Sequence, residues 1–178
     1  MKIVKRILIG VAILVAVPLI VGLFVRTDFA VEREVIINKP RNDVFNYVKH
    51  LKNHANFNKW ATMDPQMKRD YRGTDGMVGF VSAWDSDNQD VGKGEQEIKR
   101  ITEGERIDVE IRIRSPFQST DPAYMTTESV GDHQTRVKSG YLGKMNYPTN
   151  VLCPFIAKKI GKDMETGLTN LKAVLEKQ

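Results

Sequence analysis

The chain has 178 residues, of which 41% are hydrophobic and 28% are charged, and its formal net charge is +5. Residues 1–26 hold four of the 27 basic residues and none of the 22 acidic ones, so the rest of the chain has a net charge of only +1. That balance gives no indication of the strongly basic surface that is typical of nucleic-acid binding. Cys153 is the only cysteine, which excludes an intrachain disulfide. The part after residue 26 must therefore rely on a hydrophobic core, and its length of about 150 residues is enough for one.

The first element is an apolar segment near the N-terminus. Ile7–Val25 contains no charge in 19 residues, which corresponds to about 28 Å of helix, close to the hydrocarbon thickness of a bilayer. A cleavable signal is the alternative, but its apolar core is usually shorter and ends at an A-x-A-like site, whereas Asp28 stands two positions before Ala30. We therefore predict an uncleaved membrane anchor in residues 1–26, with the transmembrane part at about 7–25, and one domain in residues 27–178.

The orientation of this anchor is predicted from its basic flanks. Lys2, Lys5 and Arg6 precede the apolar segment, and only Arg26 follows it closely. Because basic residues stay on the cytoplasmic side, we predict a single-pass protein of the cytoplasmic membrane with its N-terminus inside and its domain outside.

A strand that turns into a helix comes next. Phe29–Asn38 is rich in β-branched residues and alternates well enough to predict a strand. Pro40 then provides a backbone angle suited to the first turn of a helix. The spacing of the apolar residues that follow predicts a short helix with one buried face: Val44, Phe45, Val48 and Leu51.

The middle of the chain predicts about six strands in consecutive hairpins. The clearest strand alternates apolar residues with charged ones, Ile107, Val109, Ile111 and Ile113 against Asp108, Glu110, Arg112 and Arg114. One apolar face and one charged, solvent-exposed face are typical of an antiparallel sheet that is covered on a single side. Thr102–Glu105 and Gly131–Gln134 have the composition of hairpin turns.

A long amphipathic helix ends the chain. Two glycines inside it, Gly161 and Gly167, weaken the helix but allow a close approach to the sheet. The apolar residues that predict its buried stripe are Phe155, Ile156, Ile160, Met164, Leu168, Leu171, Val174 and Leu175.

This order of elements, with particular residues, resembles the SRPBCC superfamily. The resemblance rests on "VEREVIINKPRNDVFNYVKHLKNHANFNKW", "GMVGFVSAW", "VGKGEQEI", "ERIDVEI" and "GLTNLKAVLEK". The superfamily includes START-like lipid binders, birch-pollen-allergen-like proteins and the polyketide cyclase/dehydrase and lipid-transport group, and the chain is most similar to membrane-anchored bacterial members. The resemblance implies an α+β helix-grip fold, in which a curved antiparallel sheet of about seven strands grips the C-terminal helix around an apolar cavity.

The predicted inner face supplies the candidate ligand-binding residues. Bulky apolar groups with a few hydroxyls are typical of the lining of a small-molecule pocket, although an ordinary filled core is an equally open alternative. The residues predicted to line the cavity are Phe80, Ser82, Trp84, Ile107, Val109, Ile111, Ile113, Met125, Thr127, Val137, Ser139, Tyr141, Ile160, Met164 and Leu168.

Sequence motifs for catalysis or metal binding are weak. His50 and His54 have an i, i+4 spacing, but no third ligand is evident and we interpret them as exposed side chains at a helix end. Asp85, Asp87 and Asp90 do not match the spacing of a calcium loop and are typical of a solvated turn. Glu95, Glu97, Glu110 and Glu128 lie on strands without identifying a catalytic group. We predict no catalytic residue, no metal and no cofactor.

These observations favour a membrane-tethered domain that binds an apolar small molecule or lipid without catalysis. Two alternatives remain open. The same cavity could serve a polyketide cyclase/dehydrase-like or hydrolytic enzyme, which needs an acidic or imidazole group in the lining. The domain could also have a filled core and serve as a structural or partner-binding domain.

Overall fold

The computed structural model describes residues 2–177, so Met1 and Gln178, the outermost residues of the two predicted segments, lie outside the described residues. Two 3-10 turns, Leu51–Asn56 and Thr149–Leu152, lie between the regular elements. In chain order those elements are α1 (Lys2–Gly22), β1 (Asp28–Ile37), α2 (Arg41–Val48), α3 (Lys59–Met63), β2 (Lys68–Arg72), β3 (Val81–Asp85), β4 (Lys93–Thr102), β5 (Arg106–Ser115), β6 (Ser119–Gly131), β7 (Gln134–Lys144) and α4 (Cys153–Glu176).

The strands form one antiparallel sheet of seven, in the order β1-β7-β6-β5-β4-β3-β2. Every strand from β2 to β6 pairs with the next along the chain, as consecutive hairpins require, and β1 closes the far edge against β7. The predicted α+β architecture, a seven-stranded sheet with a long C-terminal helix, is confirmed.

The strand register confirms which residues share the inner face. Ile107 pairs with Met125, Thr127 pairs with Val137, and Val137 pairs with Val35. Directly paired residues point to the same side of a sheet, so the alternation in β5 extends across its neighbours. Two register shifts on β4 mark irregular pairing with β5, and such bulges bend a strand.

The abrupt turn after β1 closes one end of the sheet. Pro40, with φ −58°, immediately precedes α2. The predicted buried face of that helix is confirmed at Val44, Phe45 and Val48, whereas Leu51 belongs to the following 3-10 turn. The main core cluster lies under α2 and the C-terminal half of α4, and it contains Ile37, Val44, Phe45, Val48, Phe57, Ile107, Met125, Val137, Leu168, Leu171 and Leu175.

Helix α4 packs mainly along β1, at one edge of the sheet. A Cβ atom on Gly161 would lie 2.4 Å from Nη2 of Arg33, so this glycine allows the helix to approach the inner side of β1. Gly167 instead faces the backbone around Asn58 and Lys59. Because the helix follows an edge, the inner face of β4 to β6 depends on other segments for its cover.

The buried stripe of α4 is shorter than its sequence pattern predicts. Met164, Leu168, Leu171 and Leu175 are buried, but the side chain of Phe155 is 72% exposed. Including Phe155 in the stripe was therefore wrong. Phe155 lies in the first turn of α4, directly after the 3-10 turn at Thr149–Leu152. Its position follows the helical period of the stripe, but its side chain is left uncovered.

Helix α1 is long and apolar enough to span a membrane over Ile3–Gly22, a property that it shares with signal sequences. Its C-terminal end contacts the domain. The side-chain amide of Asn150 donates hydrogen bonds to the carbonyl oxygens of Gly22, at 2.7 Å, and Val25, at 2.8 Å. Asn150 itself is buried.

Candidate functional site

A cavity of about 90 Å³ lies between the inner face of the sheet and the middle of α4. Strands β4 to β7 form one wall, α4 forms another, and the segment from His54 to Trp60 closes the third side. The cavity opens to solvent on one side, where Asn58, Lys59 and Asp163 are partly exposed. The site thus combines a mainly apolar wall with polar groups near its mouth.

The structure brings eight of the fifteen predicted cavity residues together. They come from three adjacent strands and from one face of α4, and each lies where the alternating and helical periods place it. These eight are Ile107, Val109, Ile111, Met125, Ser139, Tyr141, Met164 and Leu168. Their binding role remains a prediction.

The other seven predicted residues lie outside this cavity. Val137 belongs to the main core, and Thr127 is buried with its hydroxyl donating to the carbonyl of Gly104 at 2.8 Å. Phe80 packs with Leu51, Ile98 and Val109 in a second core cluster. The remaining four are buried Ser82 and the half-buried side chains Trp84, Ile113 and Ile160.

Several lining residues were not predicted. Gln96 pairs with Ile111 and so lies on the inner face, a position that the alternation of β4 could have revealed. Asp163 precedes Met164 on α4, and a wider helical face would have included it. The segment around His54 has no periodic pattern, so no signal in the sequence placed it here; its lining residues are His54, Phe57, Asn58, Lys59 and Trp60.

His54 is the lining residue whose position differs most from the prediction. Helix α2 ends before His50, so the two histidines do not share a helix, and His54 is buried rather than exposed. Its Nε2 lies 2.8 Å from the carbonyl oxygen of Val48, to which it donates. Burial lowers the pKa of His54 below its usual 6.5, against smaller opposing effects of this hydrogen bond and of Asp75. The imidazole is therefore neutral at pH 7.

This depressed pKa predicts how the stability of the domain depends on pH. The unfolded chain binds a proton at His54 more readily than the folded chain does, so the free energy of unfolding should fall as pH decreases below about 6.5, by at most about 1.4 kcal/mol per pH unit. Denaturation of the full chain in detergent between pH 7 and pH 5 measures this slope. His54→Gln should flatten it, and His133→Gln, in an exposed turn, should not. Equal slopes in wild type and His54→Gln would contradict the assignment.

Half-buried Tyr141 and buried Asp121 form a polar pair beside the cavity. The Tyr141 hydroxyl donates to Oδ2 of Asp121 at 2.7 Å, and Asp121 is only 3% exposed. Burial, together with this carboxylate, raises the pKa of Tyr141, so the phenol stays protonated. Asp121 pairs with Ile111 on the inner face and was missed because a proline follows it within an otherwise alternating strand. This hydrogen bond between a carboxylate and a phenol holds a polar pair in a fixed position at the wall of the cavity.

The strand glutamates considered for catalysis lie on the other side of the sheet. Glu95 is bonded to Arg72 at 2.7 Å and to Arg112 and Arg114 at 2.8 Å. Burial alone would raise the pKa of Glu95, but the hydrogen bonds from Arg72 and Arg112 outweigh it and hold that pKa below its usual value. Glu97 and Glu110 also bond to Arg112, and Glu128 pairs with Arg136, so all four lie in ion pairs on the outer face, and none lines the cavity. Within residues 2–177, no group of three or more His, Cys, Asp or Glu side chains is arranged to hold a metal ion.

Known structures share this fold. No family model matches the chain. The curated proteins also contain no match. Norcoclaurine synthase from Thalictrum flavum is similar with a TM-score of 0.61 and 13% identity, over 84% of this chain and 94% of that one. Ara h 8.0201 is similar with a TM-score of 0.56 and 14% identity, over 85% and 99%. Aha1 from Colwellia psychrerythraea gives 0.57 and 13%, over 83% and 96%. The resemblance to SRPBCC proteins is thus confirmed at the level of the fold.

Proposed function

We propose that the protein binds an apolar small molecule or lipid in the cavity between the sheet and α4 while α1 tethers it to a membrane. The observation that carries this proposal is the cavity itself, in which aliphatic side chains from β5, β6 and α4 surround an unfilled space. Pockets of this composition bind apolar ligands and orient them with a few polar groups. Here such groups are Ser139, Tyr141 and Gln96.

The volume limits what the cavity holds as it stands. About 90 Å³ is below the roughly 150 Å³ of an engineered cavity that binds benzene and the roughly 300–1,000 Å³ of drug-sized pockets. The cavity therefore accommodates one end of an elongated ligand, such as the end of an acyl chain, with the remainder extending through the open side. Met164 lines this space, and the unbranched thioether side chain of methionine adapts readily to a ligand.

The tether suits an apolar ligand. Such a compound partitions into the bilayer, so a cavity held beside the membrane meets it at a high effective concentration. The small-molecule function is also consistent with a neighbour of the same fold, since norcoclaurine synthase has been crystallised in complex with dopamine and hydroxybenzaldehyde.

Native mass spectrometry of the full chain purified in detergent tests the binding proposal. We expect a bound species of defined mass that organic solvent extracts and that chemical analysis identifies as a lipid or another apolar compound. Recovery of the protein without any bound compound, together with a failure to bind an added apolar dye, would contradict the proposal and favour a structural or partner-binding domain.

An enzyme that uses the same cavity is the second candidate, and His54 favours it. A neutral imidazole that donates through Nε2 has an unprotonated Nδ1, which can accept a proton, and Asp163 adds a carboxyl group to the same lining. Comparing the compound extracted from wild type with that from His54→Gln separates the two functions. A binding protein should carry the same compound in both, whereas an enzyme should carry product in wild type and substrate in the variant.

The contact between α1 and the domain supports an uncleaved anchor. Cleavage near Ala30 would remove Gly22 and Val25, whose carbonyl oxygens accept the two hydrogen bonds of buried Asn150. Loss of this segment would remove both hydrogen bonds and the packing of Gly22 against Tyr147, Asn150 and Val151, so the domain should be less stable without it.

We expect the protein to remain in the membrane fraction after alkaline carbonate washing, because a 20-residue apolar helix holds it. N-terminal sequencing should find Met1 retained or removed only as the initiator. A mature N-terminus near Val31 would contradict the anchor. In intact spheroplasts, external protease should degrade the domain, and protection of the domain would reverse the predicted orientation.

A further inference from the structure

The end of α1 is fixed to the domain rather than joined to it by a free linker. The last carbonyl groups of a helix have no partner within the helix, and the Asn150 amide, 128 positions away in sequence, bonds to that of Gly22. A Cβ atom on Gly22 would lie 3.2 Å from side-chain atoms of Tyr147, Asn150 and Val151. This close packing sets the orientation of the domain relative to the anchor.

The length of α1 sets the depth of this contact. The uncharged segment Ile7–Val25 spans about 28 Å as a helix, close to the thickness of the hydrocarbon core, and Gly22 lies three residues before its end. Gly22 therefore lies within one helical turn of the hydrocarbon boundary. The residues that touch Gly22 then lie close to the layer of lipid headgroups.

Large apolar side chains are exposed at this same end of the domain. Tyr147 is 48% exposed, Leu152 46% and Phe155 72%, and all three lie within five positions of Asn150. Phe117, 72% exposed, lies in the turn between β5 and β6. That turn is at the sheet end where β1 begins and β7 ends, because β5 and β7 run in the same direction. We call Phe117, Tyr147, Leu152 and Phe155 the apolar rim.

We propose that the apolar rim lies in the interfacial layer of the bilayer, so that the domain sits on the membrane in one fixed orientation. This inference rests on the proposed membrane anchor. Single exposed apolar residues are ordinary on a protein surface, but here four occur at the end where the membrane-spanning helix leaves the bilayer. Tyrosine and tryptophan are enriched at that depth in membrane proteins, and interfacial segments also bury phenylalanine and leucine there. The rim continues the apolar surface of α1, including Phe24, which is 84% exposed.

Tryptophan quenching by brominated lipids tests this orientation in the full chain reconstituted in lipid bilayers. Phe117→Trp and Phe155→Trp place a reporter on the rim at positions where the side chain is already exposed. Val78→Trp is the matched control, since Val78 is 61% exposed in the loop between β2 and β3 at the opposite end of the sheet. The emission of wild type, from Trp60 and Trp84, is subtracted.

We expect brominated lipid to remove most of the added emission from both rim variants and none from Val78→Trp, with a blue-shifted spectrum for the rim. If carbonate washing shows that α1 is anchored but the rim variants behave like Val78→Trp, the orientation is wrong and the anchor stands. Blue-shifted emission without quenching would also overturn the proposal, in favour of a second copy or a protein partner on the rim. Loss of the protein from carbonate-washed membranes would overturn both proposals.

Discussion

Replacing Leu171 by aspartate is expected to destabilise the domain by about 4 kcal/mol or more. Leu171 has no exposed surface and packs in the main core cluster between α4 and the sheet. The variant loses the apolar contacts of the buried leucine. It also places a carboxyl group where neither water nor a hydrogen-bond partner is available. Since a domain of this size is stable by only about 5–15 kcal/mol, this one change threatens folding. Chemical denaturation of the full chain in detergent, followed by circular dichroism, measures the loss.

Thr169→Asp is the matched control on the same helix. Thr169 is exposed and its hydroxyl donates only to the carbonyl of Glu165, so the change should alter the free energy of unfolding by about 0.5 kcal/mol or less. Lys172, which the helical pattern also places outside the stripe, is a poorer control because its ammonium group donates to the Ile36 carbonyl at 2.6 Å and pairs with Glu176. Equal losses from Leu171→Asp and Thr169→Asp would contradict the position of α4 on the sheet.

The fold could be predicted because its two periods are clear in the sequence. The alternation of Ile107, Val109, Ile111 and Ile113 with charged residues fixes the inner face of β5, and antiparallel pairing then extends that face to its neighbours. Hairpin signals at Thr102–Glu105 and elsewhere fix the strand order. The helical stripe of α4 is equally clear over its C-terminal half.

The site could be predicted only where a period carries information. Eight cavity residues on strands and on α4 were predicted because burial and periodicity coincide at their positions. The third wall comes from a 3-10 turn and a five-residue helix. His54, Phe57 and Trp60 are separated there by polar residues at irregular spacing. Such segments are placed by tertiary packing rather than by local sequence.

Periodicity also says nothing about where an element ends in space. Phe155 continues the spacing of the buried stripe, but α4 begins beyond the cover of the sheet and leaves this side chain exposed. Periodicity likewise could not show that Val137 and Phe80 lie outside the cavity. They lie on the predicted inner face, but at places where other side chains already fill the space.

Enlarging Ile111 to tryptophan is expected to abolish ligand binding while changing the stability little. Ile111 is only half-buried and lines the open cavity. The larger side chain can enter space that is empty or occupied by ligand, so it avoids most of the cost of overpacking, which arises where a core is already full. It also takes the volume that an apolar ligand needs. Titration with an apolar fluorescent dye and chemical denaturation measure the two effects in the same preparation.

Ile98→Trp is the matched change in a filled part of the interior. Ile98 has no exposed surface, packs with Leu51, Phe80 and Val109, and does not line the cavity. The same enlargement there should cost roughly 1–3 kcal/mol, and the folded fraction should still bind the dye. Ile111→Trp should thus lose binding and keep its stability, whereas Ile98→Trp should lose stability and keep binding. If Ile111→Trp instead destabilises the domain as much as Ile98→Trp does, and wild type binds no apolar dye, the space beside Ile111 is part of a closed core and the proposed binding function is wrong.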